Sequence, residues 1–137
     1  EEIAAFRNLP EFPAAVAADL CRRVLMQALP ALAEGDLTGL GLAIRQLQQA
    51  TGDYFAPVQG GRYASVNVTD VLAWLAQHGV ACYGQSSWGP TGFALFENEI
   101  SAQACLQELR VQFAQTPGLR FVLCRGLNRG ARIDDII

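Results

Sequence analysis

Apolar residues recur at helical spacing through the first half of the chain. Between residues 13 and 33 they predict a helix whose first turn accepts Pro13 and which Pro30 should kink or end. A second run repeats at intervals of three, four and three: Leu37, Leu40, Ile44 and Leu47. It predicts a helix that Asp36 caps and that ends near Gly52. Together the two runs predict an antiparallel helical hairpin.

The segment after this hairpin is predicted to be irregular. Residues 53–65 hold two tyrosines, a Gly-Gly pair and one arginine. A third helix follows, because apolar residues again fall on one face. Either Ser65 or Asn67 is expected to cap it, and Gly79 is expected to end it.

Two short apolar runs, residues 80–83 and 93–96, predict an antiparallel β-hairpin. Ser101 is the predicted cap of a last helix that a Pro-Gly pair ends, and residues 121–124 are predicted to form a third strand. The order of the elements predicts one α+β domain over residues 1–137, with a small antiparallel sheet covered by helices.

The composition narrows the classes of partner. Apolar residues make up 51% of the chain and charged residues only 17%, so part of the surface is expected to be covered by a second copy or by a further domain. The net charge of −3 argues against nucleic acid. No apolar run approaches the roughly 18 residues of a membrane span. Four cysteines without a Cys-x-x-Cys pair are predicted to be reduced core thiols of a cytoplasmic protein: Cys21, Cys82, Cys105 and Cys124.

The residue types of common hydrolytic and metal sites are sparse. His78 is the single histidine, and at the end of the third helix it is expected to complement the helix dipole rather than to serve a catalytic triad. Asp134 and Asp135 are expected to solvate the tail. A metal role for Glu97 and Glu99, which flank a strand end, is the weaker alternative to a surface role.

The densest group of recognition side chains lies between the two predicted hairpin strands, in residues 84–92. The glycines and the proline of this loop allow a sharp turn and a close approach of the backbone to a ligand. Hydroxyl, amide and aromatic side chains accompany them: Gln85, Ser86, Ser87, Trp88 and Thr91. Such groups, with backbone N–H groups, suit a phosphate or a carboxylate. A plain hairpin turn at Gly89 is the alternative.

Residues 60–63, Gly-Gly-Arg-Tyr, form a second candidate. Arg62 beside two glycines suits an anion, although the segment could equally be a linker. If this segment and the loop at 84–92 converge, they predict a site for an aryl or sugar-phosphate ligand between them.

These two segments, together with the Asp-Tyr-Phe-Ala-Pro run at 53–57, resemble the beta-ribofuranosylaminobenzene 5′-phosphate synthase family of the GHMP kinase superfamily. The resemblance runs from about Ala5 to Ile133 and covers the C-terminal half of that family. It implies a ferredoxin-like sandwich and a separate N-terminal domain with a Gly/Ser-rich phosphate loop, which has no counterpart in this sequence. The loop at 84–92 corresponds to the third, glycine-rich motif of the superfamily. Its Gln, Ser and Trp depart from the kinase pattern, which favours phosphoribosyl pyrophosphate over ATP.

The resemblance implies an enzyme of tetrahydromethanopterin biosynthesis. Such an enzyme joins 4-hydroxybenzoate or 4-aminobenzoate to ribose 5-phosphate, with loss of carbon dioxide and pyrophosphate and with Mg²⁺ as cofactor. The implied partners are these substrates, the N-terminal domain and a second copy in a homodimer; the chain alone is expected to be inactive. A small-molecule kinase and a non-catalytic dimerisation or binding domain remain as alternatives.

The resemblance and the residue chemistry together give the expected roles. Arg62 is expected to hold the benzoate carboxylate or a phosphate, and Trp88 and Tyr63 to flank the aromatic ring. The side chains of residues 85–87 are expected to hold phosphate or ribose oxygens. No metal ligands and no catalytic residue are assigned. The full set of predicted binding residues is Gln59, Gly60, Gly61, Arg62, Tyr63, Gly84, Gln85, Ser86, Ser87, Trp88, Gly89 and Thr91.

Overall fold

The first predicted helix forms, and it is interrupted just before its internal proline. The computed structural model describes residues 9–127 and 129–130. Helix α1, Ala14–Arg23, continues through a π-helical turn, Val24–Ala28, into α2, Leu29–Glu34. Pro30 has no N–H and its ring crowds the carbonyl four residues earlier. The chain widens at this point, and the N–H of Leu29 bonds to a carbonyl five residues back. The predicted end of the regular helix near Pro30 is confirmed as a π-helical interruption.

Helix α3, Leu37–Gln59, runs well past its predicted end. Asp36 caps it as expected, since its side chain accepts a hydrogen bond of 2.9 Å from a backbone N–H three residues on. The prediction that it ends near Gly52 is wrong, because that glycine lies inside the helix. Pro57 also lies inside, where it removes one backbone bond near the end of the helix. The helix ends at Gly60, whose φ of 84° is left-handed.

The remaining helices begin at side-chain caps. Ser65, one of the two predicted caps, accepts a hydrogen bond from the backbone at the start of α4, Val66–Gln77. Helix α5 is Glu99–Gln112, and its cap is Asn98 rather than the predicted Ser101. The Asn98 side chain accepts from the backbone N–H of Ser101 at 2.9 Å, so the helix starts earlier than the sequence analysis expects. No helix among the described residues combines the length and apolar character that crossing a membrane would require.

The predicted β-hairpin is present, and the predicted third strand is not. β1, Cys82–Gln85, pairs antiparallel with β2, Gly92–Leu95, and these two strands form the sheet of the described residues. Residues 121–124 form no strand. Phe121 instead packs against the core and lies 6.3 Å from the ring of Phe113, centroid to centroid. Its apolar character reflects this packing and not strand pairing. The α+β class of the chain is confirmed.

The core lies where α4 meets α5 and the hairpin. Four apolar residues of α4 and one of α5 are buried together: Val68, Val71, Leu72, Leu75 and Leu109. Side chains of both strands pack against this cluster, among them Tyr83 and Ala94. Helix α3 packs along β1. The turn after α3 and the turn after β1 are therefore held next to each other by the packing of one helix on one strand.

The prediction of four core thiols is correct for only part of the set. All four cysteines are free thiols; Cys82 is buried and Cys105 is partly buried, whereas Cys21 and Cys124 are exposed. Burial raises the pKa of the Cys82 and Cys105 thiols. These two therefore stay protonated and behave as small apolar groups.

Replacing Leu72 by alanine should destabilise the fold strongly. Leu72 is 2% exposed, and a Leu→Ala change at such a position costs about 2–5 kcal/mol of unfolding free energy. Val66 of the same helix is 77% exposed, and Val66→Ala is the control, with an expected change below about 0.5 kcal/mol. Urea denaturation measures both. Equal effects of the two substitutions would contradict the placement of the core.

Candidate functional site

The two segments singled out in the sequence converge on one cleft. Its cavity volume is about 300 Å³. The turn after α3 contributes Arg62, and the loop after β1 contributes Ser87 and Trp88. Most of the remaining wall comes from α3. The lining residues are Leu47, Gln48, Thr51, Gly52, Phe55, Gln59, Arg62, Gln85, Ser87 and Trp88.

Gln85 joins the two segments through its side chain. It is 6% exposed, and its Oε1 accepts a hydrogen bond of 2.7 Å from the backbone N–H of Ala64. Its Nε2 donates to the backbone carbonyl of Ser87 at 3.1 Å. From the sequence, Gln85 is predicted to hold ligand oxygens. The structure instead has its acceptor and one of its donors bonded to protein, so its main effect is to fix the distance between the segments.

Gln48 fixes the end of β1 from the other side. Its Nε2 donates to the carbonyl of Gln85 at 2.9 Å, and its Oε1 accepts from the N–H of Gln85 at 2.9 Å. An amide side chain thus satisfies both backbone groups of the last residue of β1, as a neighbouring strand would. Sequence reasoning missed Gln48. It stands among other glutamines on α3, and nothing in that polar run distinguishes it.

The loop after β1 owes its shape to backbone hydrogen bonds. The N–H of Ser86 donates to the carbonyl of Thr91 at 2.8 Å, and the N–H of Gly89 donates to the carbonyl of Ser86 at 3.0 Å. From the sequence, backbone N–H groups of this loop are predicted to bind an anion. In the structure these two N–H groups instead bond to carbonyls of the loop and hold the turn closed. Gly89 has a φ of 72°, and a Cβ there would lie 2.6 Å from the side chain of Gln85. A glycine is therefore required for Gln85 to reach its partners.

Arg62 is the charged residue of the cleft, and it forms a bidentate ion pair with Asp53. Its Nε lies 2.7 Å from Oδ1 and its terminal nitrogen 3.1 Å from Oδ2. These hydrogen bonds raise the pKa of the guanidinium above its usual value, which keeps it charged. Both side chains are about half exposed, so the pair contributes only about 0–1 kcal/mol to stability.

The main chain of Arg62 is held against α3. A Cβ at Gly52 would lie 2.6 Å from the Arg62 Cγ and 2.7 Å from its carbonyl oxygen. Gly52 therefore serves a close approach between helix and turn, which explains why a glycine stands inside the helix. Gln59 donates a 2.9 Å hydrogen bond from Nε2 to the same carbonyl.

An aromatic pair forms another part of the cleft wall. The rings of Trp88 and Phe55 lie 4.9 Å apart between centroids, at an interplanar angle of 56°. Tyr63, expected beside Trp88, packs against the core instead, where burial raises the pKa of its hydroxyl. Sequence reasoning missed Phe55 because it treats residues 53–65 as irregular. In a helix continued through that point, Phe55 lies three or four residues from three other lining positions of α3, which are Thr51, Gly52 and Gln59.

Several predicted binding residues lie outside the cleft lining. They are Gly60, Gly61, Tyr63, Gly84, Ser86, Gly89 and Thr91. Most of them shape the two turns. Thr91 lines a different, larger groove of about 1060 Å³ between α4, β2, α5 and residues 118–126. That groove lies directly over the buried core residues and contains no other member of the predicted set.

The described residues offer no metal centre. No group of three His, Cys, Asp or Glu side chains able to hold a metal ion occurs among them, and the cleft lining contains no carboxylate. Glu99, one of the two weaker candidates, forms an ion pair with Arg125, and Glu97 is exposed. Asp134 and Asp135 lie outside the described residues.

His78 has the structural position that the sequence predicts. It follows the last residue of α4, its Nδ1 lies 2.8 Å from the carbonyl oxygen of Trp74, and its ring stacks on the indole at 3.7 Å. It is not among the residues that line the cleft.

Gln85→Ala should loosen the junction between the two segments. The substitution leaves the N–H of Ala64 without its acceptor, which we expect to lower the free energy of unfolding by about 1–3 kcal/mol. Gln49, exposed on α3, is the matched control, and Gln49→Ala should change stability by less than about 0.5 kcal/mol. Urea denaturation compares them. A Gln85→Ala protein as stable as the control would show that this junction is not structural.

Comparisons with known proteins assign the chain to a family. Residues 28–115 match the family described as GHMP kinases C terminal, and that range contains every residue that lines the cleft. The chain is also similar to beta-ribofuranosylphenol 5′-phosphate synthase from Archaeoglobus fulgidus, with 28% identity over 134 residues. That match covers 97% of this chain but only 39% of the relative. No solved structure gives a significant match. Because the family match spans more than half of the residues of this chain, the chain belongs to the GHMP kinase C-terminal family.

Proposed function

We propose that this chain forms the C-terminal domain of an enzyme that condenses phosphoribosyl pyrophosphate with a 4-substituted benzoate in tetrahydromethanopterin biosynthesis. The observation that carries the proposal is the convergence of the two candidate segments on one cleft, joined by Gln85. The similarity to a beta-ribofuranosylphenol 5′-phosphate synthase supports the same reaction. A ribofuranosylphenol is the product expected from 4-hydroxybenzoate, so this acid is proposed as the substrate and 4-aminobenzoate as the other candidate.

The cleft suits the aryl acid better than the complete pair of substrates. A volume of about 300 Å³ lies at the lower end of small-molecule sites. A planar ring fits against Trp88 and Phe55, which offer apolar aromatic faces. Arg62 lines the same cleft and carries the planar fork of donors that binds a carboxylate with two hydrogen bonds. The ribose and its phosphates then extend beyond the cleft, towards the N-terminal domain that the proposal assigns to the whole protein.

The chemistry of the lining agrees with a reaction that removes no ring proton. In the proposed step, the ring carbon that bears the carboxylate bonds to C1 of the ribose as pyrophosphate leaves with its bonding electrons. Carbon dioxide then departs, and the electrons of its bond to the ring restore aromaticity. Positioning and charge stabilisation are the main requirements. Among the described residues, the cleft lining contains no Asp, Glu, His, Cys or Tyr that would serve as a general base.

Magnesium has no assigned place in this account. The family resemblance implies Mg²⁺, which prefers carboxylate oxygens and substrate phosphates. The described lining residues of the cleft include no carboxylate. They do not fit a Mg²⁺ site, and no step is routed through the ion. What the residues of this chain do is orient the aryl acid and hold its charge.

Arg62→Ala should abolish most turnover. The substitution removes the two charge-assisted hydrogen bonds that Arg62 is proposed to donate to the acid, which predicts a decrease in kcat/KM of about 100-fold or more. Pyrophosphate release by the full-length protein, with 4-hydroxybenzoate and phosphoribosyl pyrophosphate, measures it. Arg110→Ala, at an exposed arginine of α5, is the control and should leave turnover unchanged. If Arg62→Ala keeps normal turnover and a normal melting temperature, the acid-binding role is wrong.

We also propose that the whole protein is cytoplasmic and forms a homodimer; the dimer is supported by an apolar surface on the first helical segment. Four large apolar side chains between residues 25 and 32 are exposed: Leu25, Met26, Leu29 and Leu32. Exposed apolar clusters of this kind are typical of interfaces. Helices α1 and α2 contribute none of the residues that line the cleft, so pairing through this surface would leave the cleft open.

Leu25→Lys should shift the protein towards monomer. Sedimentation velocity of the full-length protein measures the change, because a buried lysine would have to be desolvated in the interface. Val111→Lys, at an exposed position of α5, is the control and should remain dimeric. A wild-type protein that stays monomeric at high concentration would contradict the proposed homodimer.

A further inference from the structure

Arg62 already holds a carboxylate, and that carboxylate belongs to the chain itself. Asp53 presents both of its oxygens to the Nε edge of the guanidinium, at 2.7 and 3.1 Å. This is the bidentate geometry in which arginine binds a free carboxylate. Asp53 is on α3, whereas Arg62 is in the turn that follows, so the pair lies across the start of that turn. When an aryl acid reaches Arg62, the guanidinium is therefore already bonded to Asp53.

We propose that Asp53 is a placeholder for the acid group of the ligand, and that the ligand carboxylate takes its position on Arg62. This inference rests on the proposed function, because it requires an acid to bind in the cleft. Asp53 then competes with the acid for the guanidinium and lowers the affinity of the cleft for it. A neutral aromatic molecule makes no ion pair with Arg62, so Asp53 does not affect its binding.

The structure makes this exchange feasible with little rearrangement. The side chains of Arg62 and Asp53 are 44% and 51% exposed, so both charges have access to water when they separate. The main chain of Arg62 is held independently of Asp53, through the close approach at Gly52 and the hydrogen bond from Gln59. Rotation of the Asp53 side chain away from Arg62 is therefore sufficient, and the main chain of Arg62 keeps its position.

The opposite role for Asp53 is to orient Arg62 for a ligand that binds at its other edge. The guanidinium has five N–H donors, and the Asp53 hydrogen bonds use only part of them. In that arrangement Asp53 stays in place when the acid binds, and its removal loosens Arg62. The two roles predict opposite effects of the same substitution. A placeholder lowers the affinity for the acid, whereas an orienting residue raises it.

Binding measurements on the full-length protein separate these roles. Isothermal titration with 4-hydroxybenzoate and with phenol, its neutral counterpart, gives Kd for the wild type, Asp53→Asn and Arg62→Gln. We expect Asp53→Asn to lower Kd for 4-hydroxybenzoate about fivefold and to leave Kd for phenol unchanged, since it removes a weak competing ion pair. Asp53→Ser should act in the same direction. Asp70→Asn, at an exposed carboxylate of α4, is the control and should change neither value.

Each outcome decides one of the two hypotheses. A higher or unchanged Kd for the acid in both Asp53 variants, with binding still lost in Arg62→Gln, overturns the placeholder and leaves the proposed acid site standing. If Arg62→Gln binds the acid as tightly as the wild type, or if the wild type does not prefer the acid to phenol, the acid site is wrong and the placeholder falls with it. Tighter binding in both Asp53 variants and weaker binding in Arg62→Gln support both.

Discussion

The arrangement of the candidate site depends on the buried hydrogen bonds of Gln85. Its side chain bonds to the backbone of both turns, and its own backbone bonds to Gln48. A buried amide without hydrogen-bond partners costs about 1–3 kcal/mol. Any structure in which the two turns separate would therefore be less stable, because it leaves the Gln85 amide unpaired. Gln85 therefore positions binding groups, while Arg62, Trp88 and Phe55 present surfaces on which a ligand can lie.

The length of α3 is the second constraint. A helix that ended near Gly52 would leave residues 53–59 free to move, and Phe55 and Asp53 would have no fixed place. Continued to Gln59, the helix gives the cleft a rigid wall and places Asp53 within reach of Arg62. The same helix holds β1 through Gln48. One helix thus fixes the aromatic wall, the ion pair and the strand from which the loop begins.

Sequence reasoning found the elements whose signals are local. Asp36 and Ser65 act as caps through their own side chains, and two clear apolar runs mark the strands of the hairpin. The predictions were wrong where one residue type is compatible with two structures. Glycine often ends a helix, but Gly52 lies inside α3 and permits the close approach of Arg62. Phenylalanine is common in strands, but Phe121 packs on the core. Sequence reasoning found both segments of the site, yet not Gln48 or Phe55, because their positions depend on the length of α3 and on packing between distant parts of the chain.

Hydrogen–deuterium exchange of the full-length protein, with and without 4-hydroxybenzoate, tests most directly whether the two turns form one ligand site. The turns contain backbone N–H groups that Gln85 and the loop already bond, such as those of Ala64 and Ser86. A ligand in the cleft should stabilise both turns together and slow exchange in residues 60–64 and 85–89 at the same ligand concentration. Slower exchange in only one of these segments, or only around the groove at residues 118–126, would contradict the account.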